Sequence, residues 1–173
     1  MPDHCVYLGA GSNMDPRRNI PAALVRLSEY VTIRAASTFY ESEALQRPDQ
    51  PNFLNGVIRA TTCLDPRTLK FDVIRRIEAA LGRVRTEDAY AARPIDLDIL
   101  LYDALIIDKV GLRIPDPDIR TRVFWTVPLL ELDPGLILPD TGEPIAALEC
   151  LTEAVRLKPA EAFTQALKER LAL

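Results

Sequence analysis

Histidine is almost absent from this 173-residue chain, and the single one, His4, stands near the start. A histidine-based catalytic triad or a His-rich metal centre is thereby disfavoured. Cysteine is scarce too: Cys5, Cys63 and Cys150 are odd in number, far apart and without zinc-finger spacing. They outline neither a zinc site nor a disulfide framework, so a reducing cytoplasm is the expected location. No apolar run reaches the length of a membrane span, and the first residues lack a signal-peptide pattern, so no membrane partner is expected. Positive charge is not in excess. A net charge of -4 argues against a general nucleic-acid binder, which would need basic patches. What remains is ample hydrophobic content, 48%, against 27% charged residues. That balance suits one soluble domain with a sizeable core, and no repeat or linker divides residues 1–173.

The most informative stretch is Arg93-Pro94-Ile95-Asp96-Leu97-Asp98-Ile99-Leu100-Leu101-Tyr102-Asp103. Successive strand residues point to opposite faces. Asp96 and Asp98 therefore share a face, and Ile95, Leu97 and Ile99 share the other. Two adjacent carboxylates repel unless one has a raised pKa or a cation lies between them. With Arg93 just upstream, the pair suits Mg²⁺ together with phosphate oxygens. On these residues alone, a strand edge with solvated aspartates is an equal reading.

The remaining chain fills in around that strand. Residues 4–10 read as a first strand, and Gly11-Ser12-Asn13 as a turn, since a phosphate-binding glycine loop would need more glycines in pattern. Asp15-Pro16 starts a helix with Asp15 as N-cap and Ile20, Leu24 and Leu27 as its apolar stripe. Residues 31–40 read as one strand, 41–52 as a polar loop, and 53–64 as a strand that puts Phe53, Asn55, Val57 and Arg59 on one side. An aromatic ring beside an amide suits a flat heterocycle, although a satisfied strand-end Asn is commoner. Asp65-Pro66 opens a second helix, with Leu69, Val73, Ile74 and Ile77 inward and Gly82 at its end. Arg83, Arg85 and Arg93 then ring a polar loop; they suit a polyanion or simply a solvated surface. A short strand is expected at 104–107 and a rigid extended segment at 113–117. Helices interrupted by Pro128 are expected within 118–132, with further helices at 144–156 and 159–172.

Five blocks in this order resemble the 6-hydroxymethyl-7,8-dihydropterin pyrophosphokinase family of folate biosynthesis. They are Tyr7-Leu8-Gly9-Ala10-Gly11-Ser12-Asn13; Phe39-Tyr40-Glu41-Ser42-Glu43 with Asp49-Gln50-Pro51-Asn52-Phe53-Leu54-Asn55; Arg76-Ile77-Glu78 with Gly82-Arg83-Val84-Arg85; the Arg93 to Leu101 run; and Ile114-Pro115-Asp116-Pro117 with Arg122-Val123-Phe124 and Pro128-Leu129. The resemblance extends to about residue 145. It implies an α+β, ferredoxin-like fold, an antiparallel sheet with helices packed on it, here with a C-terminal helical extension over residues 159–173. It also implies transfer of the β,γ-diphosphate of ATP to the pterin hydroxymethyl group with release of AMP.

By the same resemblance, Asp96 and Asp98 hold two Mg²⁺ ions, and Arg83 and Arg93 belong to a loop that closes over ATP. Phe53 and Phe124 sandwich the pterin, Asn55 reads its edge, and Ser42, Glu43 and Leu45 lie in a contacting loop. Arg75, Glu78, Arg85, Ile99, Leu112, Arg113, Asp116 and Arg122 fall at or beside nucleotide contacts. The implied partners are ATP, the pterin and other folate-pathway enzymes. Two departures stand out. Asp116 replaces a family histidine that reaches the nucleotide phosphates, and Tyr90-Ala91-Ala92-Arg93 replaces a tryptophan-containing loop. A carboxylate at 116 would repel phosphate unless protonated or metal-bound. The alternative implied by Asp116 is a weakened paralogue that binds pterin or nucleotide as a sensor or partner subunit. An RNA-binding ferredoxin-like module ranks far below, because the chain is acidic and lacks the aromatic RNA-stacking pattern.

Overall fold

The computed structural model describes residues 3–85, 88 and 91–173. Tyr90, in the segment that replaces the tryptophan-containing loop, lies outside the described residues. Eight strands and five α-helices follow in order: β1 (His4–Ser12), α1 (Pro16–Leu27), β2 (Thr32–Ala36), β3 (Tyr40–Ser42), β4 (Phe53–Thr62), α2 (Pro66–Thr68), α3 (Arg75–Ala80), β5 (Asp96–Tyr102), β6 (Ile107–Lys109), β7 (Leu112–Ile114), α4 (Val123–Leu132), β8 (Lys158–Pro159) and α5 (Glu161–Leu171). The main sheet runs β5-β1-β4-β3-β8, with β2 also on β4, and every pairing in it is antiparallel. Strand, helix, strand pair, helix and strand around a central β1 and β4 make the ferredoxin-like βαββαβ arrangement that was expected.

Both sheet faces are covered. On one, Val6, Leu8, Leu54, Ile58, Leu97 and Ile99 pack under Ile20 and Leu24 of α1 and Ile74 and Ile77 of the second helical run. On the other, Tyr7, Val57, Leu100 and Leu101 meet Trp125 and Leu129 of α4, with Ile119 and Leu138. The register shifts between Tyr7 and Leu8 opposite β5. This bulge lets Leu100 and Leu101 both reach the α4 core while Ile99 and Tyr102 serve the other. Among the described residues no helix is long and apolar enough to cross a membrane.

Several expected boundaries move. β1 continues through Gly11 and Ser12, because strands on both sides extend its ladder. Asp15 precedes α1 in a left-handed conformation without a side-chain cap; its carbonyl accepts from Arg18 and Asn19 instead. Asp65 is the true side-chain cap, accepting from the N–H groups of Arg67 and Thr68. The expected strand 31–40 is broken at Ser37, whose backbone N–H and hydroxyl bond Val57 and which lets Phe39 turn into the core. The 104–107 strand lies instead at β6, closed against β7. α4 runs through Pro128 with one backbone bond fewer. Between α2 and α3 the helix adopts a π-helical stretch, Leu69–Ile74.

The C-terminal segment is built into the domain. β8 pairs with β3, Phe163 and Leu167 are buried, and the Phe163 ring meets Phe39 edge-on at 5.5 Å. The buried Phe39 N–H donates to Thr164 Oγ1 at 2.9 Å.

Candidate active site

Three neighbouring strands set out the floor. On the α4 face, β5 presents Asp96 and Asp98, and β4 presents Phe53 and Asn55. Between them β1 presents only Gly9 and Gly11: Gly9 lies opposite Asp98 and Val57, Gly11 opposite Asp96 and Asn55. The missing side chains are needed. A Cβ on Gly9 would stand 2.9 Å from the Trp125 ring, and one on Gly11 would collide with Asn55 Oδ1. Gly9, and Gly11 that was expected in a turn, therefore let an aromatic and an amide settle against the sheet.

Two cavities open above this floor. The first, about 240 Å³, is lined by Ser42, Glu43, Leu45, Phe53, Asn55 and Phe124, together with Trp125 and Arg122. The second, about 530 Å³, is lined by Lys70, Arg83, Ile99, Leu112, Arg113 and Asp116, with the β6–β7 hairpin along one side. Arg93, Asp96, Asp98 and Asp118 line both. All six residues expected at the pterin thus surround one cavity. Of those expected at the nucleotide, Arg122 lines the first cavity. Arg75 lies over the Phe71 ring at 4.3 Å, and Glu78 and Arg85 stand behind the wall.

The shared wall is dense with charge. Asp96 accepts from Arg83 at 2.5 Å and from Arg93 at 2.7 Å; Asp98 accepts from Lys70 at 2.7 Å. Burial opposes ionisation of Asp96, but the two arginines outweigh it and hold the carboxyl below its usual range. Asp98 goes the other way: burial and the neighbouring Asp96 charge raise it against the pull of Lys70. Behind them Glu78, 2% exposed, accepts from Arg83, Arg85 and the Leu97 N–H. Burial raises Glu78, whereas for Arg83 its own burial is overcome by Asp96 and Glu78, which keep the guanidinium firmly protonated. Both values rise, for opposite reasons: burial disfavours the Glu78 anion, whereas two neighbouring anions favour the Arg83 cation. Asp116 is pushed up to about 7, by burial first and by the Asp98 charge second. It can therefore hold a proton near neutrality, which relieves the repulsion expected from a carboxylate at this position.

Positioning comes from residues that no chemistry-based reading singled out. Asn13 is 2% exposed; its amide donates to Gln50 and the Pro51 carbonyl, and its Oδ1 accepts the Arg93 N–H at 2.8 Å. It ties the 43–52 loop to the arginine at the junction. Its signal was the Gly-Ser-Asn block, read as a turn. Asn55 donates to Ser42 Oγ at 3.0 Å, and Arg93 also lies over the Phe53 ring at 5.8 Å. Trp125 follows directly on Phe124 in the fifth block. Lys70 had no signal in the sequence; it lies on the π-helical stretch and meets Asp98 of β5.

The donor set fits Mg²⁺. Asp96 and Asp98 are hard oxygen donors, 21% and 31% exposed to the shared space. Mg²⁺ commonly takes one or two carboxylates and completes its shell with water and phosphate oxygens. Among the described residues no cluster of three or more His, Cys, Asp or Glu side chains is placed to hold a metal ion.

Comparison with known proteins identifies the family. Residues 7–134 match the family model described as 7,8-dihydro-6-hydroxymethylpterin-pyrophosphokinase (HPPK). The chain is 40% identical over 141 residues to the 2-amino-4-hydroxy-6-hydroxymethyldihydropteridine pyrophosphokinase of Aquifex aeolicus, covering 81% of this chain and 87% of that one. It is 40% identical over 138 residues to the protein of the same name from Pseudomonas aeruginosa, covering 78% and 84%. The folic acid synthesis protein fol1 of Pneumocystis carinii is 37% identical over 147 residues, which are 84% of this chain but 20% of that protein. A solved structure of Plasmodium falciparum HPPK-DHPS shares the fold, with a TM-score of 0.69 at 15% identity; the match covers 98% of this chain and spans just under half, 47%, of that longer one. The chain belongs to the HPPK family.

Proposed function

We propose that this chain transfers diphosphate from ATP to 6-hydroxymethyl-7,8-dihydropterin, giving the pterin diphosphate and AMP in folate biosynthesis. The observation that carries the reading is the meeting of two cavities at Asp96, Asp98 and Arg93. One is aromatic and amide-lined, the other basic, and a reacting pair placed in them would touch at the carboxylates. In the reaction the hydroxymethyl oxygen bonds to the β-phosphorus and gives up its proton to solvent, the bridge between the α- and β-phosphates breaks, and AMP leaves with the bridging oxygen.

Phe53 and Phe124 flank the pterin ring, Asn55 and Ser42 read its polar edge, and Glu43 and Leu45 close the side. Such partners favour the true substrate, because an analogue lacking them would leave buried polar groups unpaired. Ile99, Leu112 and Arg113 border the nucleotide, with Arg75, Arg85 and Arg122 at its margins. Arg83 and Arg93 stand where charge develops on the transferred group, so their role is electrostatic and positional. Asp96 and Asp98 would hold Mg²⁺, which when bound neutralises the polyphosphate and orients its oxygens. Glu78 holds Arg83 and Arg85 from behind.

The test is AMP formation from ATP and Mg²⁺, with and without the pterin, in wild type and Asp98→Ala. Pterin-dependent AMP that disappears in the variant supports the reading. Pterin binding without any AMP release sinks it in favour of a binding-only paralogue. Free thiols at Cys5 and Cys150 support a cytoplasmic setting, which cell fractionation checks. Fusion-length relatives such as fol1 support contact with other folate enzymes; co-sedimentation without any complex would count against it.

A further inference from the structure

Lys70 lies on the π-helical stretch Leu69–Ile74. Leu69, Val73 and Ile74 of that stretch enter the core. Phe71 lies under Arg67 and Arg75. Lys70 is turned instead onto β5: Nζ donates to Asp98 Oδ1 at 2.7 Å and to the Leu97 carbonyl at 3.4 Å. Its side chain is 14% exposed and lines the basic cavity. A compact, strongly hydrated ammonium is costly to withdraw from water, and among the described residues one carboxylate and one long carbonyl contact engage two of its three donors, leaving a third. Helical π stretches often mark functional positions. The side chain that carries this third donor lines the cavity that the diphosphokinase reading gives to ATP.

We propose that Lys70 is a positioning residue that divides charge between Asp98 and the polyphosphate: it anchors Asp98 before a divalent cation arrives and adds fixed positive charge to the ATP cavity. The inference rests on the proposed reaction for the identity of the anion. It has a consequence that a merely structural lysine lacks. Fixed positive charge beside Asp98 repels a divalent cation and attracts a polyanion, so its removal moves the two affinities in opposite directions.

The experiment uses the full chain as wild type, Lys70→Gln and Lys70→Arg. Binding of Mn²⁺ alone is read by electron paramagnetic resonance, and binding of ATP in EDTA by calorimetry. Gln keeps a hydrogen-bond donor for Asp98 without the charge; Lys70→Met takes its place if circular dichroism shows Gln unfolded. The expected result is Mn²⁺ bound roughly tenfold tighter and metal-free ATP roughly tenfold weaker in the neutral variant, with Arg restoring both. Parallel shifts, no shift, or an Arg variant that behaves like Gln overturns the proposal. Neither measurement needs turnover. Absence of pterin-dependent AMP in wild type would therefore sink the reaction separately, without deciding the role of Lys70.

Discussion

Replacing Asp116 by Asn removes one ionisable oxygen from the wall of the cavity proposed for the nucleotide and little else. The side-chain oxygen that accepts the Asp118 N–H at 2.8 Å is retained, so the turn keeps its cap. With the wild-type carboxyl pushed up to about 7, its ionised fraction grows from about a tenth at pH 6 to about nine-tenths at pH 8. If only the protonated form tolerates a polyphosphate, metal-free ATP affinity relative to Asp116→Asn falls about tenfold over that interval. Calorimetric titration of ATP in EDTA at several pH values measures this, and the Asn variant cancels the titration of ATP itself.

A ratio that stays within about twofold from pH 6 to pH 8 refutes the reasoning. The stability sign follows from the same shift. A carboxyl raised from 3.8 in the folded state favours folding below its unfolded value, and that advantage is lost as pH rises through about 7. Asp116→Asn should therefore melt higher than wild type at pH 8, by at most about 4 kcal/mol of stability, and near wild type at pH 4.

Other perturbations test the supports of the site. Glu78→Ala leaves the buried Leu97 N–H without its acceptor and takes one of the two anions from Arg83; a loss of about 2–4 kcal/mol and roughly 10 °C in Tm is expected by calorimetry, and a loss near zero would show the cage to be dispensable. Gly9→Ala drives a Cβ to 2.9 Å from Trp125; steady-state kinetics should show a raised KM for pterin and an unchanged KM for ATP, and equal effects on both would refute Trp125 as a wall of the first cavity alone. Truncation after Leu157 removes the buried Phe163 and Leu167 and the acceptor of the Phe39 N–H; thermal melting should register a loss of about 3–6 kcal/mol, and an unshifted Tm would contradict the packing of α5 as part of the core.

Much of this protein is legible along the chain because it depends on local periodicity. Alternation in 95–101 puts two carboxylates on one face and three aliphatics on the other whatever the strand pairs with. The stripes Ile20/Leu24/Leu27 and Leu69/Val73/Ile77 likewise mark helices before any partner is known. Ordered blocks added the family and, by resemblance, the residues to look for at each substrate. Tertiary structure decided what depends on register and on neighbours distant in sequence. Gly9 and Gly11 became a floor only when β1 was placed between Asp98 and Asn55. Lys70 met Asp98 across 28 residues of sequence only once the fold laid the second helical run against β5. The proton affinity of Asp116 was set by burial and by the charge of Asp98, neither of which is local to residue 116. Hydrophobic pattern is a property of a segment, whereas electrostatics and steric clearance are sums over whatever the fold brings near.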